Sequence, residues 1–193
     1  MAIQEKLYTV DDLWAMESDP EFEHRKFYLI DGELYEDDVP GRIHALLTIE
    51  IGFHLRLYAA DSRLGEATSE CGFHPPESRY TALLPDVAFQ RFDQLPDPPP
   101  ERYVPKMPDL AVEIQSPSDT MSKLRHKAQA YLENGTTIVW LVLPKRRGVE
   151  VCRLSDGGEL QSVFLGPGDT LSGDDILPGF ELAISEIFAV LRD

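Results

Sequence analysis

Cysteine is nearly absent from this sequence: there are two, Cys71 and Cys152, in separate strand-like segments. Two cysteines cannot build the disulfide framework of a small secreted scaffold, and together with the histidines they show no zinc-ligand spacing. The expectation is two buried free thiols in a reducing cytoplasm, with a single disulfide as the alternative. Long apolar runs are missing as well. No stretch approaches the roughly 18 to 20 residues that a membrane helix needs, so no membrane partner is expected. The N-terminal MAIQEKLYTVDDLW lacks a basic segment followed by an apolar one, which reads against a signal peptide and for a cytoplasmic protein.

Positive charge is scarce. Lys and Arg number 18 against 34 Asp and Glu, a net charge of −16. Affinity for nucleic acid comes largely from cations that neutralise phosphates, so this surface as a whole repels a polyanion. The deficit is uneven, however. The segment from Ser122 to Arg153 holds seven Lys or Arg against two Glu, a net +5, which leaves −21 for the rest. With screening over about 10 Å at moderate salt, a basic patch there can act on a nearby phosphate. The plainer alternative is a set of solvated helix and turn faces.

The chain's 193 residues suffice for one well-cored domain, expected to span 1–193. Thr9 followed by Asp12 resembles a helix cap, so Val10 to Glu17 reads as a short helix. Phe27 to Ile30 and Glu33 to Glu36 flank Asp31-Gly32, a hairpin signal. Apolar residues recur with helical spacing from Arg42 to Ala60. Leu64 to His74 and Tyr80 to Gln90 read as strands. Phe92 to Pro108, with six prolines, reads as an irregular loop on the substrate side or at a partner contact. Then come a strand (Leu110 to Gln115), a helix (Ser122 to Asn134) stopped by Gly135, and a strand apolar on both faces (Thr137 to Leu143). That succession predicts a βαβ crossover with a parallel strand pair. Val149 to Leu154 and Leu160 to Leu165 add antiparallel strands, and Ser185 to Leu191 closes as a helix. The pattern predicts an α/β fold.

Three segments carry chemistry in order: PDVAF (Pro85 to Phe89), DLAVEIQSPS (Asp109 to Ser118) and KLRHKAQAYL (Lys123 to Leu132). Side chains alternate along a strand, so Glu113 and Gln115 share one face while Leu110, Val112 and Ile114 take the other. Asp86 stands at the start of another apolar run. Asp86, Glu113 and a strand carbonyl, that of Ile114, would make an all-oxygen site suited to Mg²⁺ or Mn²⁺. Such an ion can hold a phosphate oxygen and lower the pKa of an attacking water. The competing structural reading has Asp86 capping a turn and Glu113 facing solvent. Lys127 lies three residues after Leu124 and four before Tyr131, on the apolar stripe of its helix. It points toward the sheet, near Gln115, unless it snorkels to the edge. On that reading Lys127→Met changes folding by no more than about 1 kcal/mol.

The segments YLIDGEL, RIHALL, LPDVAF, PDLAVEIQSPSD, KAQAYLENG, VWLVLP and GPGDTL…LPGFEL are similar, in this order, to the Uma-two family, which is grouped with restriction endonucleases of the PD-(D/E)XK superfamily. The resemblance covers roughly Tyr8 to Phe188. It implies a restriction-endonuclease-like mixed β-sheet flanked by helices, with an N-terminal helix-hairpin extension and C-terminal antiparallel strands. It also implies a Mg²⁺- or Mn²⁺-dependent endonuclease acting on DNA, with Asp86 and Glu113 as metal ligands. Gln115 departs from the superfamily pattern, which has a lysine there. A recurrent family lysine falls instead at Lys127, so Lys127 takes over the offsetting of charge on the phosphorane. Glu33 and His44 also stand at recurrent positions, as a further ligand and as a phosphate or proton contact; otherwise they are a solvated hairpin glutamate and a packing histidine. Tyr28 stands where relatives commonly carry an acid. Asp109 reads as a turn cap, and Ser116 and Ser118 as helix-start residues.

Two alternatives to a DNA endonuclease remain at this stage. One is a homodimeric interaction module with the fold and no cleavage; the other is a nuclease acting on RNA. A homodimer is expected in either of the first two cases, because pairing basic segments gives an acidic chain a DNA-sized basic surface.

Overall fold

The computed structural model describes residues 6–191. The first five residues of the N-terminal segment read for a signal peptide lie outside that range. Thr9 caps α1 (Val10–Glu17) with a reciprocal pair of bonds: its side chain accepts from Asp12 N, and the Asp12 carboxylate accepts from Thr9 N. β1 (Lys26–Ile30) and β2 (Glu33–Asp37) form the expected hairpin. Asp31 and Gly32 both take positive φ, 52° and 85°, the combination a tight two-residue turn requires. α2 (Arg42–Ser62) follows, buried through Leu47, Ile51, Leu55 and Ala59.

The centre is a six-stranded sheet. β3 (Gly65–Ser69) pairs with β4 (Val87–Arg91), β4 with β5 (Leu110–Ile114), and β5 with β6 (Ile138–Leu143); β7 (Gly148–Leu154) and β8 (Leu160–Leu165) complete it in that order. Only β5 and β6 run parallel, joined by α3 (Met121–Glu133) as the crossover. Every residue of β5 and β6 is buried, because both faces of the sheet are covered. On one face Ala88, Ala111, Val139 and Leu141 pack with Leu124 and Tyr131 of α3, Leu13 of α1 and Phe27 of β1. On the other, Val87, Leu110, Val112 and Trp140 pack with α2 and with Leu171, Leu182 and Ile187. Those last three come from β9 (Thr170–Gly173), β10 (Leu177–Ala183) and α4 (Ile184–Ala189). This is the mixed sheet flanked by helices, with antiparallel strand pairs, that the sequence leads one to expect. No helix among the described residues is long and apolar enough to cross a membrane.

Several boundaries differ from the sequence reading. The run Leu64 to His74 ends as a strand at Ser69, where Glu70 turns to a positive φ of 55°; Phe73 forms only isolated bridges, antiparallel to Leu83 and parallel to Val104. The run Tyr80 to Gln90 is cut by Pro85, which has no N–H for a ladder. Its first part bridges Leu29 through Ala82, and its second part is β4. The β9–β10 pair escapes a periodicity reading because β9 is four residues long and β10 carries a register shift between Leu177 and Glu181. The proline-rich segment after Phe92 is anchored: Tyr103, Val104 and Met107 are buried, and the Tyr103 ring meets Trp14 edge-on at 5.5 Å. Both cysteines are free, Cys152 buried and Cys71 half-buried.

Candidate active site at the ends of the parallel strands

In antiparallel β4 and β5, Val87 pairs with Val112, so Asp86 and Glu113 take the next positions of the ladder. Asp86 N donates to Val112 O at 3.0 Å, and Ile114 N donates to Asp86 Oδ2 at 2.7 Å. Both carboxylates are 5% exposed and line one cavity of about 30 Å³, room for one water-sized occupant. The cavity lies at the carboxyl end of β5, the kind of place where open α/β sheets bind ligands. Asp37, Asp38, Glu70 and Asp119 add further carboxyl groups to its walls, and Lys26, His44 and Ile114 complete the side relevant here.

Each carboxylate is held. Asp86 Oδ2 also meets His44 Nε2 at 3.1 Å, and Lys26 Nζ lies 3.8 Å from Oδ1. Burial works to raise the Asp86 pKa, but the His44 bond and charge, with Lys26 and Lys127, outweigh it and hold the group below its ordinary value. His44 shows the reciprocal effect: burial works to lower it, and the Asp86 bond and charge carry it above its ordinary value. Glu113 Oε1 accepts from Tyr131 Oη at 2.7 Å and Oε2 from Lys127 Nζ at 2.9 Å. Burial drives the Glu113 pKa up; the Lys127 ammonium opposes this and the nearby Asp86 and Asp37 add to it, leaving Glu113 pushed up to about 7. Burial also works against the Lys127 charge, but Glu113, Asp37 and Asp86 outweigh it and raise that pKa.

The structure sorts the predicted residues. Asp86, Glu113, Ile114 and His44 meet at the cavity. Lys127 is buried beside Glu113, neither snorkelling nor aimed at Gln115; its second bond goes to Asp37 Oδ2 at 2.9 Å, and its ammonium lies 4.5 Å over the Tyr28 ring. Gln115 is not in the cavity. It falls beyond the end of β5, and its amide donates to Asp119 O at 3.2 Å, so the strand parity that would align it with Glu113 has lapsed. Glu33 is exposed and accepts from Tyr35 Oη at 2.6 Å. The acid that arrives from the hairpin is Asp37, on the same strand face four residues further from the turn. Parity along ELYED could have nominated it. Lys26, paired with Asp37 in the hairpin, and Tyr131 were missed for a different reason: each sits at a position that also fits plain packing.

Neighbouring expectations resolve the same way. Asp109 Oδ2 accepts from Arg91 N at 2.8 Å, tying the start of β5 to the end of β4. Thr120, not Ser116 or Ser118, caps α3, accepting from Lys123 N; the two serines donate to Asp38. The expected basic patch is largely neutralised. Lys127 is buried, Lys123 pairs with Asp119 and Asp37, Arg125 with Glu150, and Arg153 with Asp174.

The donor set fits a hard divalent cation. Among the described residues no group of three or more His, Cys, Asp or Glu side chains forms a ready cage. Two carboxylates and a backbone carbonyl at an octahedral ion that keeps several waters need no such cage. Glu113 favours the same fit: a carboxyl held near neutrality by burial and by neighbouring acids gains from a cation beside it.

The chain is similar to a solved structure described as a putative nuclease belonging to DUF820 from Anabaena variabilis. Identity is 20%, the TM-score is 0.78, and the match covers 96% of this chain and 99% of that one. That likeness shows a shared fold. No curated protein matches the chain. The Uma2 (Uma-two) family, whose description reads "Putative restriction endonuclease", matches residues 10–185, nearly the whole chain. The chain belongs to the Uma2 family.

Proposed function

We propose that this protein is a Mg²⁺- or Mn²⁺-dependent endonuclease that hydrolyses DNA phosphodiester bonds at the Asp86–Glu113 cavity. Family membership supports a nuclease, and the observation that carries the finer reading is the meeting of two buried carboxylates in one cavity at the carboxyl end of β5. Asp86, Glu113 and the Ile114 carbonyl would hold the ion. A bound divalent cation supplies a lowered water pKa and offsets charge on the phosphoryl oxygens. His44 orients Asp86 through Nε2. Lys127 and Tyr131 orient the two oxygens of Glu113, and the Lys127 charge favours its ionised form. Lys127 therefore acts through Glu113, as a positioning residue. A supercoiled-plasmid nicking assay with Mg²⁺ and Mn²⁺ tests the reading. Wild type should nick, and Glu113→Gln should be slower by at least about a hundredfold, the scale of losing one charge-stabilising group. Equal nicking by both would refute it.

A second observation supports the homodimer. Ile49, Phe53 and Leu57 are 71%, 59% and 50% exposed along the outer face of α2. Their four-residue spacing puts them on one stripe. A two-fold axis through Phe53 would set Ile49 of one copy level with Leu57 of the other, and Glu50 level with Arg56. This stripe, not the neutralised basic segment, is the surface that pairs two copies. The same stripe would serve a dimeric interaction module that does not cleave; the nicking assay separates the two.

A further inference from the structure

Beside the acidic cavity lies a larger groove of about 360 Å³ that shares His44 and Ser116 with it. Its walls are Ile43, Pro117 and Pro144, and Arg42 and Lys145 stand at its sides. The two cavities differ in kind: the first has space for an ion or a water, the second has the size of a small organic-ligand site. Charge distinguishes the groove further. Lys26, Lys123, Arg125, Lys127 and Arg153 all have carboxylate partners, yet among the described residues neither Arg42 nor Lys145 has an ion pair or hydrogen bond. On a chain of net charge −16, two unneutralised cations beside one apolar groove form a site for an anion that carries an apolar body.

We propose that this groove binds one unstacked nucleotide of single-stranded DNA next to the bond to be cleaved. This rests on the nuclease reading above. Arg42 and Lys145 take the flanking phosphates, and Ile43, Pro117 and Pro144 receive the base and sugar. A base stacked in a duplex cannot enter such a groove; an unpaired one can. The side-chain donors within reach, apart from the two cations, are committed elsewhere. Gln115 donates to Asp119 O, Ser116 to Asp38, and His44 meets Asp86. A ribose 2′-hydroxyl would therefore find no free donor between the apolar walls, which favours DNA over RNA.

Fluorescence anisotropy in EDTA tests this without any cleavage, using one labelled oligodeoxynucleotide, its blunt duplex, and the RNA of the same sequence. The single-stranded DNA should bind at least about tenfold more tightly than either comparison, a difference of about 1.4 kcal/mol. Arg42→Ala and Lys145→Ala should each weaken it several-fold. Each should also flatten the slope of log affinity against log salt by roughly 0.7, the value for one phosphate contact to a single strand. Ile43→Glu should abolish binding. All three residues are exposed, so unchanged melting temperatures will show that folding is not the cause. Preference for duplex or RNA, or unchanged affinity and salt slope in both cation variants, would overturn the proposal. Because EDTA removes divalent cations, that failure would leave the nicking result to judge the active-site reading separately.

Discussion

Lys127 Nζ lies 2.9 Å from Glu113 Oε2 and the same distance from Asp37 Oδ2, so one buried ammonium joins the central strand β5 to the hairpin strand β2. Lys127 is 3% exposed, so its ammonium is shielded from bulk water. Breaking a buried ion pair from one side costs roughly 3 to 5 kcal/mol, because the partner is left charged and unpaired. Lys127→Met should therefore destabilise the fold by that order at neutral pH, well beyond the small change expected of a lysine aimed at Gln115 that serves the chemical step alone. Glu113→Gln added to Lys127→Met should recover much of the loss. Urea unfolding of the single and double variants checks both; a Lys127→Met protein as stable as wild type would contradict the pairing.

The Glu113 pKa makes stability fall as pH rises. Its folded value of about 7 exceeds the ordinary 4.5, so between them the folded state holds a proton that the unfolded chain has lost. Unfolding free energy in EDTA should drop by roughly 3 kcal/mol across that interval. His44, also raised, adds stability at low pH that disappears as pH rises through its folded value. Asp86 acts oppositely: its lowered pKa gives stability above the ordinary carboxylate range that is lost as pH falls toward its folded value. Melting temperature measured in EDTA should thus be higher near about pH 5.5 than near about pH 8. Glu113→Gln should flatten that difference. A wild-type profile that rises toward alkaline pH would contradict the assignment.

Dimer formation should depend on the α2 stripe. Phe53→Glu, at a 59% exposed position, puts a charge at its centre without touching the core. Light scattering at tens of micromolar should give a dimer for wild type and a monomer for Phe53→Glu; a monomeric wild type would remove the pairing and weaken a double-strand-cleavage reading.

Much of this was legible in the sequence, and the gaps have physical causes. The Asp31-Gly32 turn, the βαβ crossover and the doubly buried β6 follow from turn chemistry and periodicity. Asp86, Glu113 and His44 were nominated, and they do meet. Gln115 was misplaced because alternation holds only while the strand continues, and β5 ends at Ile114. Glu33 was nominated through the resemblance and Asp37 was not considered, because only tertiary contact shows which end of the hairpin reaches the sheet. The seven cations between Ser122 and Arg153 suggested a patch because charge counting cannot see their partners: Asp37, Asp119 and Asp174 come from outside the segment. Lys145 escapes that neutralisation, and it lines the groove.

The most direct test of the central claim is calorimetric titration of Mn²⁺ into the protein, with Asp86→Asn and Glu113→Gln in parallel. It needs no knowledge of the substrate. The account predicts one ion per chain, with affinity that increases from about pH 6 to about pH 8 as binding displaces protons from Glu113 and His44. Each variant should bind at least about tenfold more weakly, as expected when one of two anionic ligands is lost. Wild type that binds no Mn²⁺ at millimolar concentration, or variants that bind as tightly as wild type, would contradict it.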